Sequence, residues 1–271
     1  MRLKVSAGAA VVAASFLAGV CGRAVAEEPY VTKVPTKADW TAVASLPDFT
    51  GVWEMSMGRP RPAAPKPASG AAAGTPAPAR PPRPEGPKLT PAYEARRAAL
   101  AAKGAEDNLT ANCVPPGMPS IMGQPYPMEF LLTPGKLTIV IEAYMQVRHI
   151  YTDGRPLPED PDATFNGHSV GRWDGKVLVV QSVGFSDQTL LAPLIPHGPN
   201  MKIEERFRLS DPDTMVIERT VTDPDALAEP WKSTATIKRH REYMTAEYIC
   251  QENNRNYVTP EGKAGLSLDH P

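Results

Sequence analysis

Net charge is nearly absent from this chain: 29 lysines and arginines stand against 30 aspartates and glutamates in 271 residues, a formal charge of −1. Without a basic excess there is no electrostatic case for nucleic acid or an anionic membrane surface as partner. Glycine-rich phosphate cradles are missing too, since neither a P-loop nor a dinucleotide fingerprint occurs. Histidines are few and widely spaced, with no H-x-H, H-x₃-H or H-E-x-x-H. A metal would need His149, His168, His197 and Glu205 to converge through the fold, and neither a metal nor any other cofactor is expected. Gly167-His168-Ser169-Val170-Gly171 has the letters of a nucleophile elbow, but it lies within a hairpin strand rather than at a strand-to-helix turn, so the serine is not read as a nucleophile.

Long apolar runs are also lacking. The one near the start, Val11 to Val20, follows Arg2 and Lys4 and is too short to cross a bilayer. Ala24-Val25-Ala26 after it is a small-x-small cleavage site, so residues 1–26 read as a signal peptide. The mature chain is expected in the periplasm or secreted, with no transmembrane span. Val20 suits poorly the alternative of a lipidated Cys21. Loss of Cys21 with the leader leaves Cys113 and Cys250, which in an exported chain pair most simply as one disulfide. Neither sits in a catalytic-thiol motif.

The mature chain reads as a lead-in over residues 27–46, extended or partly helical, one domain over 47–257 and a tail over 258–271. A first strand follows Pro47, with Phe49 or Trp53 closing one end of a core. Residues 59–88 are dominated by proline and alanine; such a segment buries too little apolar surface to offset its ordering entropy and is expected to loop out disordered. Thr90 and Pro91 punctuate the start of a surface helix over 90–103, and Gly104 its end. Residues 112–127, rich in proline and glycine, form either a packed covering loop or a lid over an apolar cavity. From Met128 onward β-prone runs alternate with turns: Thr133-Pro134-Gly135, then an Asp174-Gly175 hairpin turn of type I′, a long loop 186–200, and a turn over 210–213. A last pair, Trp231–His240 with Met244–Cys250, completes about ten strands. With no βαβ alternation, this predicts an all-β, antiparallel up-and-down barrel of about 8–10 strands with one surface helix, since closure removes exposed edges.

Strand alternation sorts the polar residues by face. On one strand Met201, Ile203, Glu205, Phe207 and Leu209 share a side. If that side faces inward, Glu205 must either pair or keep its proton, because an unpaired buried carboxylate is costly. One reading makes it a general acid/base with His168, while Arg148 or His149 orients the substrate or stabilises charge. The other makes it a core salt bridge to Arg148 or Arg219. His149 and His168 meet in the interior only if their strands are neighbours and both point inward. His197, between Pro196 and Gly198, has the setting of a residue that swings over a cavity mouth.

Gly51-Val52-Trp53, preceded by Asp48-Phe49-Thr50, resembles the Gly-x-Trp opening strand of lipocalins, in which the tryptophan plugs the closed end of the barrel. Pro125-Tyr126-Pro127-Met128-Glu129, Asp153-Gly154-Arg155, Asn166-Gly167-His168-Ser169, Trp173-Asp174-Gly175 and Tyr248-Ile249-Cys250-Gln251-Glu252-Asn253-Asn254 extend the likeness to a group of secreted lipocalin-like bacterial proteins without an established reaction. The chain departs from ordinary lipocalins in its long insertion after the first strand, its strand count and the lack of a central Thr-Asp-Tyr. The resemblance implies a barrel holding a small hydrophobic or aromatic molecule, with Trp53, Tyr126, Trp173 and Phe207 as candidate lining or closing residues. Acid/base chemistry on such a molecule, as an isomerase, hydratase or lyase, is the enzymatic alternative; an envelope structural or interaction role is a third. Fold alone does not choose among these.

Overall fold

A computed structural model describes residues 34–56, 86–103, 110 and 112–253, together with two short strands at 256–258 and 264–266. The expected leader, residues 59–85 of the Pro/Ala-rich segment and the rest of the tail lie outside the described residues.

Nine strands close into a barrel: β1 (Gly51–Met55), β2 (Met128–Thr133), β3 (Lys136–Ile141), β4 (Gln146–Tyr151), β5 (His168–Asp174), β6 (Val177–Val183), β9 (Lys202–Asp211), β10 (Thr214–Thr222) and β11 (Trp231–Arg239). A small hairpin, β7 (Leu190–Ala192) with β8 (Ile195–Pro196), lies within the loop between β6 and β9, and β12 (Asn256–Val258) pairs with β13 (Ala264–Leu266). Around the barrel each strand neighbours the next in sequence, and β1 closes the ring between β2 and β11. The all-β barrel therefore holds, with one correction to its directions. Strands β4 and β5 run parallel, pairing Ile150 with Ser169 and Tyr151 with Val170. A ring of strictly alternating neighbours needs an even number of strands, so nine oblige at least one parallel pair. Residues 152–167 carry the chain back to the end at which β4 began.

Two further expectations are corrected. Asp174 pairs with Val177, so the β5–β6 turn is Gly175-Lys176 rather than Asp174-Gly175. Only Gly175 takes a positive φ, +59°, whereas a type I′ turn needs it at both central residues. Residues 244–250 form no strand beside β11. Both edges of β11 are already occupied, by β10 and β1, and a closed barrel offers no third edge.

Two helices flank the barrel. The first, α1 (Lys37–Ala44), opens on a capping box in which Thr36 and Asp39 satisfy each other's backbone donors, and it buries no side chain. The second, α2 (Pro91–Lys103), buries only Tyr93, as befits a surface helix. Thr90, just before it, uses its hydroxyl to reach the Asp225 carbonyl at 2.9 Å.

One barrel end is closed by aromatics. Trp53 donates its indole N–H to the Phe49 carbonyl at 2.9 Å, Phe49 meets Trp173 at 5.2 Å between centroids, and the Arg239 guanidinium lies 4.6 Å over the Trp53 ring. At the opposite end Met118, Ile121 and Met122 are buried together with Leu89, Leu191 and Leu227, which makes residues 112–127 a packed covering loop. Between the ends, Phe130, Ile139, Leu178, Phe207 and Ile217 retain at most 1% of their surface exposed. At this level the barrel is filled by its own side chains, as small barrels are.

Candidate binding site

The inward faces follow from register. Ser169 on β5 pairs with Ser182 on β6, Ser182 with Ile203 on β9, and Glu205 on β9 with Arg219 on β10. Arg148 enters from β4, beside Ile139 of β3. These side chains form a polar layer across an otherwise apolar interior. Arg148 and Glu205 are almost wholly buried, at 1% and 0% exposed, and Arg219 at 12%.

Glu205 is saturated by this layer. Arg148 Nη2 donates to Glu205 Oε2 at 2.5 Å, while Arg219 donates from Nε at 3.1 Å and Nη2 at 2.9 Å to Oε1. Burial by itself would raise the Glu205 carboxyl, but the two guanidinium charges and their hydrogen bonds outweigh it and hold it below the ordinary range. It is therefore a carboxylate with no proton to give. The core salt bridge is the arrangement found, and it uses both arginines rather than one. Arg148 Nη2 also donates to the hydroxyls of Ser182 at 3.1 Å and Ser169 at 3.4 Å, and the two serines lie 2.7 Å apart. Arg148 Nε and Nη1, by contrast, are buried without any acceptor.

Alternation turns the two expected histidine partners outward. Because Ser169 points inward, His168 does not; its Nε2 lies 2.7 Å from the Asp162 carbonyl. His149, flanking inward-facing Arg148 and Ile150, is exposed beside Thr138, 3.4 Å away. Partial burial, then the Lys136 charge, hold its imidazole below the ordinary value. Glu205 and Arg148 thus meet, whereas His168 and His149 meet neither of them. His197 is buried rather than swinging: Nδ1 sits 2.7 Å from the Gly198 carbonyl, and Nε2 sits 2.7 Å from Thr189 Oγ1 and 2.9 Å from the Ser186 carbonyl. Trp53 and Phe207 belong to the packed interior, and Trp173 to the closed end. Among the described residues, no three histidine, cysteine, aspartate or glutamate side chains are grouped as metal ligands.

Tyr126, the remaining candidate, leads to open space. Its ring meets Tyr248 edge-on at 5.4 Å, and Tyr248 meets Tyr144 at 5.3 Å. Burial pushes all three phenols above their ordinary values. Beside this cluster lies a groove of about 340 Å³ walled by Tyr144, Tyr248, Ile249 and Pro115. The Cys113–Cys250 disulfide forms part of its wall, and Gln146 and Gln251 supply polar groups. Three non-glycine residues here or adjacent, Cys113, Tyr144 and Met145, hold left-handed backbone at φ 60°, 57° and 49°. Such conformations cost roughly 1–3 kcal/mol each and cluster where surrounding structure over-determines a site. The segment carrying Tyr248 is tied down by its own N–H on Met145 Sδ at 3.4 Å, by Ala246 N on Glu142 Oε2 at 2.8 Å and by the disulfide.

Tyr144, Gln146 and Ser182 carried no local sequence signal for a site. Only inward register identifies Ser182, and the disulfide together with the hydrogen bonds to Met145 and Glu142 brings Tyr248 onto Tyr144. No protein-family model matches this chain, and no curated protein matches it. The class it belongs to is the one its fold defines: an all-β, nine-stranded closed barrel, here disulfide-bonded and crossed by an arginine–glutamate–arginine layer.

Proposed function

We propose that this is an exported lipocalin-like protein that binds a small hydrophobic or aromatic molecule, and that the ligand lies in the tyrosine groove at the capped end. The observation that carries the reading is the groove itself: about 340 Å³, near the lower end of the roughly 300–1,000 Å³ typical of small-molecule pockets. Two aromatic faces suit a planar ring, the glutamine amides supply orientation, and the disulfide with three left-handed residues keeps the walls in place. The acid/base alternative has less support, because Glu205 is ionised between two arginines and both histidines face away from it.

The test is ligand-observed NMR with a library of small planar aromatics against the mature chain, residues 27–271. Hits that bind the wild type and are lost in Tyr248→Ala, with the circular dichroism spectrum unchanged, are the expected outcome. Absence of hits, or hits that persist in Tyr248→Ala, overturns the reading.

A further inference from the structure

The polar layer is short of one negative charge. Arg148 and Arg219 contribute two positive charges, Glu205 one negative, and the remaining partners, Ser169 and Ser182, none. Both Glu205 oxygens are already engaged, Oε2 by Arg148 and Oε1 by Arg219. Arg148 uses only Nη2; its Nε and Nη1 are buried with no acceptor. Buried donors without partners are rare in native proteins and call for a missing acceptor. A neutral acceptor would satisfy the donors but not the charge. A carboxylate supplies the missing charge and an acceptor for one of these donors; Nε and Nη1 share no edge of the guanidinium, so it accepts from one of them rather than from both.

Strand geometry connects this deficit to the groove. Gln146 lines the groove and shares its strand face with Arg148, two residues or roughly 7 Å further along β4. Gln146 is held only by neutral hydrogen bonds, donating to the Tyr144 carbonyl at 3.3 Å and accepting from Asn166 Nδ2 at 3.2 Å, the long end of the normal range. Asn166, bridging Gln146 to the Val147 carbonyl, itself leaves Oδ1 buried without a partner. Arg148 is 1% exposed and does not itself line the groove, so a ligand in the groove reaches it only if the Gln146 side chain moves aside.

We infer that the ligand of the groove is an aromatic or hydrophobic carboxylic acid, its apolar body against the Tyr144–Tyr248 pair and its carboxylate on Arg148, with Gln146 as the gate. This rests on the groove being the ligand site, and the experiment separates the two. Isothermal titration calorimetry compares 2-naphthoate with its neutral amide, 2-naphthamide. In the wild type the acid is expected to bind at least tenfold more tightly, and in Arg148→Met the ratio is expected to fall to about one. Equal affinities in the wild type, or a ratio that survives Arg148→Met, overturn the inference and leave the groove reading standing. If neither compound binds, both fall. Should Arg148→Met fail to fold, the wild type still decides: naphthoate, but not naphthamide, shifts the Arg148 Nε–H resonance in ¹H–¹⁵N spectra, and an unmoved resonance overturns the inference.

Discussion

Glu205, Arg148 and Arg219 are not equivalent partners, and their substitutions separate them. Glu205→Gln leaves two guanidinium groups in the interior without a counter-charge, a change that costs about 3–5 kcal/mol when a buried pair is broken. Arg148→Met leaves Glu205 doubly bonded to Arg219 and removes two donors that had no acceptor. It should cost only about 1–2 kcal/mol, as the loss of a charged hydrogen bond offset by relief of unpaired polar groups. Urea titrations of the two variants are expected to show that order. The Glu205 carboxyl is depressed below its usual value of 4.5, so its ionisation contributes stability above that pH. The contribution is lost progressively as pH falls from there through the lower, folded value. Wild-type stability should thus fall more steeply with acid than that of Glu205→Gln; parallel profiles between pH 6 and pH 3 would show that the pair does not govern this range. The histidines teach a complementary lesson. A shift of one residue exchanges the faces of a strand, and it is Ser169, not His168, whose parity matches Arg148 and Glu205.

Among the elements, residues 241–253 depend most on a single bond. They form no part of the barrel sheet, yet they carry Tyr248 and Ile249 into the groove wall. The Cys113–Cys250 bridge spans 137 residues, and a loop of that length corresponds to about 5 kcal/mol in the chain-entropy account of disulfides. Replacing both cysteines by serine is expected to lower the urea midpoint accordingly. It should also free Tyr248 from Tyr126 and Tyr144, raising amide hydrogen exchange across 244–250 while β9 and β10 remain protected. Unchanged exchange there would show that the hydrogen bonds to Glu142 and Met145 suffice without the bridge. The cysteine pairing was readable from composition and export context. The absent strand at 244–250 was not, because its local pattern is extended and only the closed edge of β11 denies it a partner.

For the molecule as a whole, closure depends on β1, the strand that joins the two ends of the meander. Trp53 is fully buried there, pairing with Met128 of β2 and Arg239 of β11. Trp53→Ala is expected to cost about 3–5 kcal/mol, as large-to-small changes in packed cores do. It should also expose the barrel seam to self-association through unpaired strand edges, a change read by thermal melts and light scattering. A variant that stays monomeric and melts near the wild type would show that the seam is held elsewhere. On this scale the disulfide accords with an exported chain; among the described residues no helix is long and apolar enough to cross a membrane.

Periodicity and composition by themselves determined a good deal: most of the β-strands, a surface helix, the two cysteines left to pair, and Glu205 in apolar company. All of these are local properties, set by alternation of side chains, turn chemistry and the cost of burying charge. Tertiary structure decided the rest. It decided that nine strands close with one parallel pair, that Glu205 finds two arginines rather than a histidine, and that Tyr144 and Tyr248, distant in sequence, form one wall. Those outcomes depend on which strands become neighbours and on their register, and neighbours across a barrel are chosen by closing the whole ring, a constraint that no single segment carries.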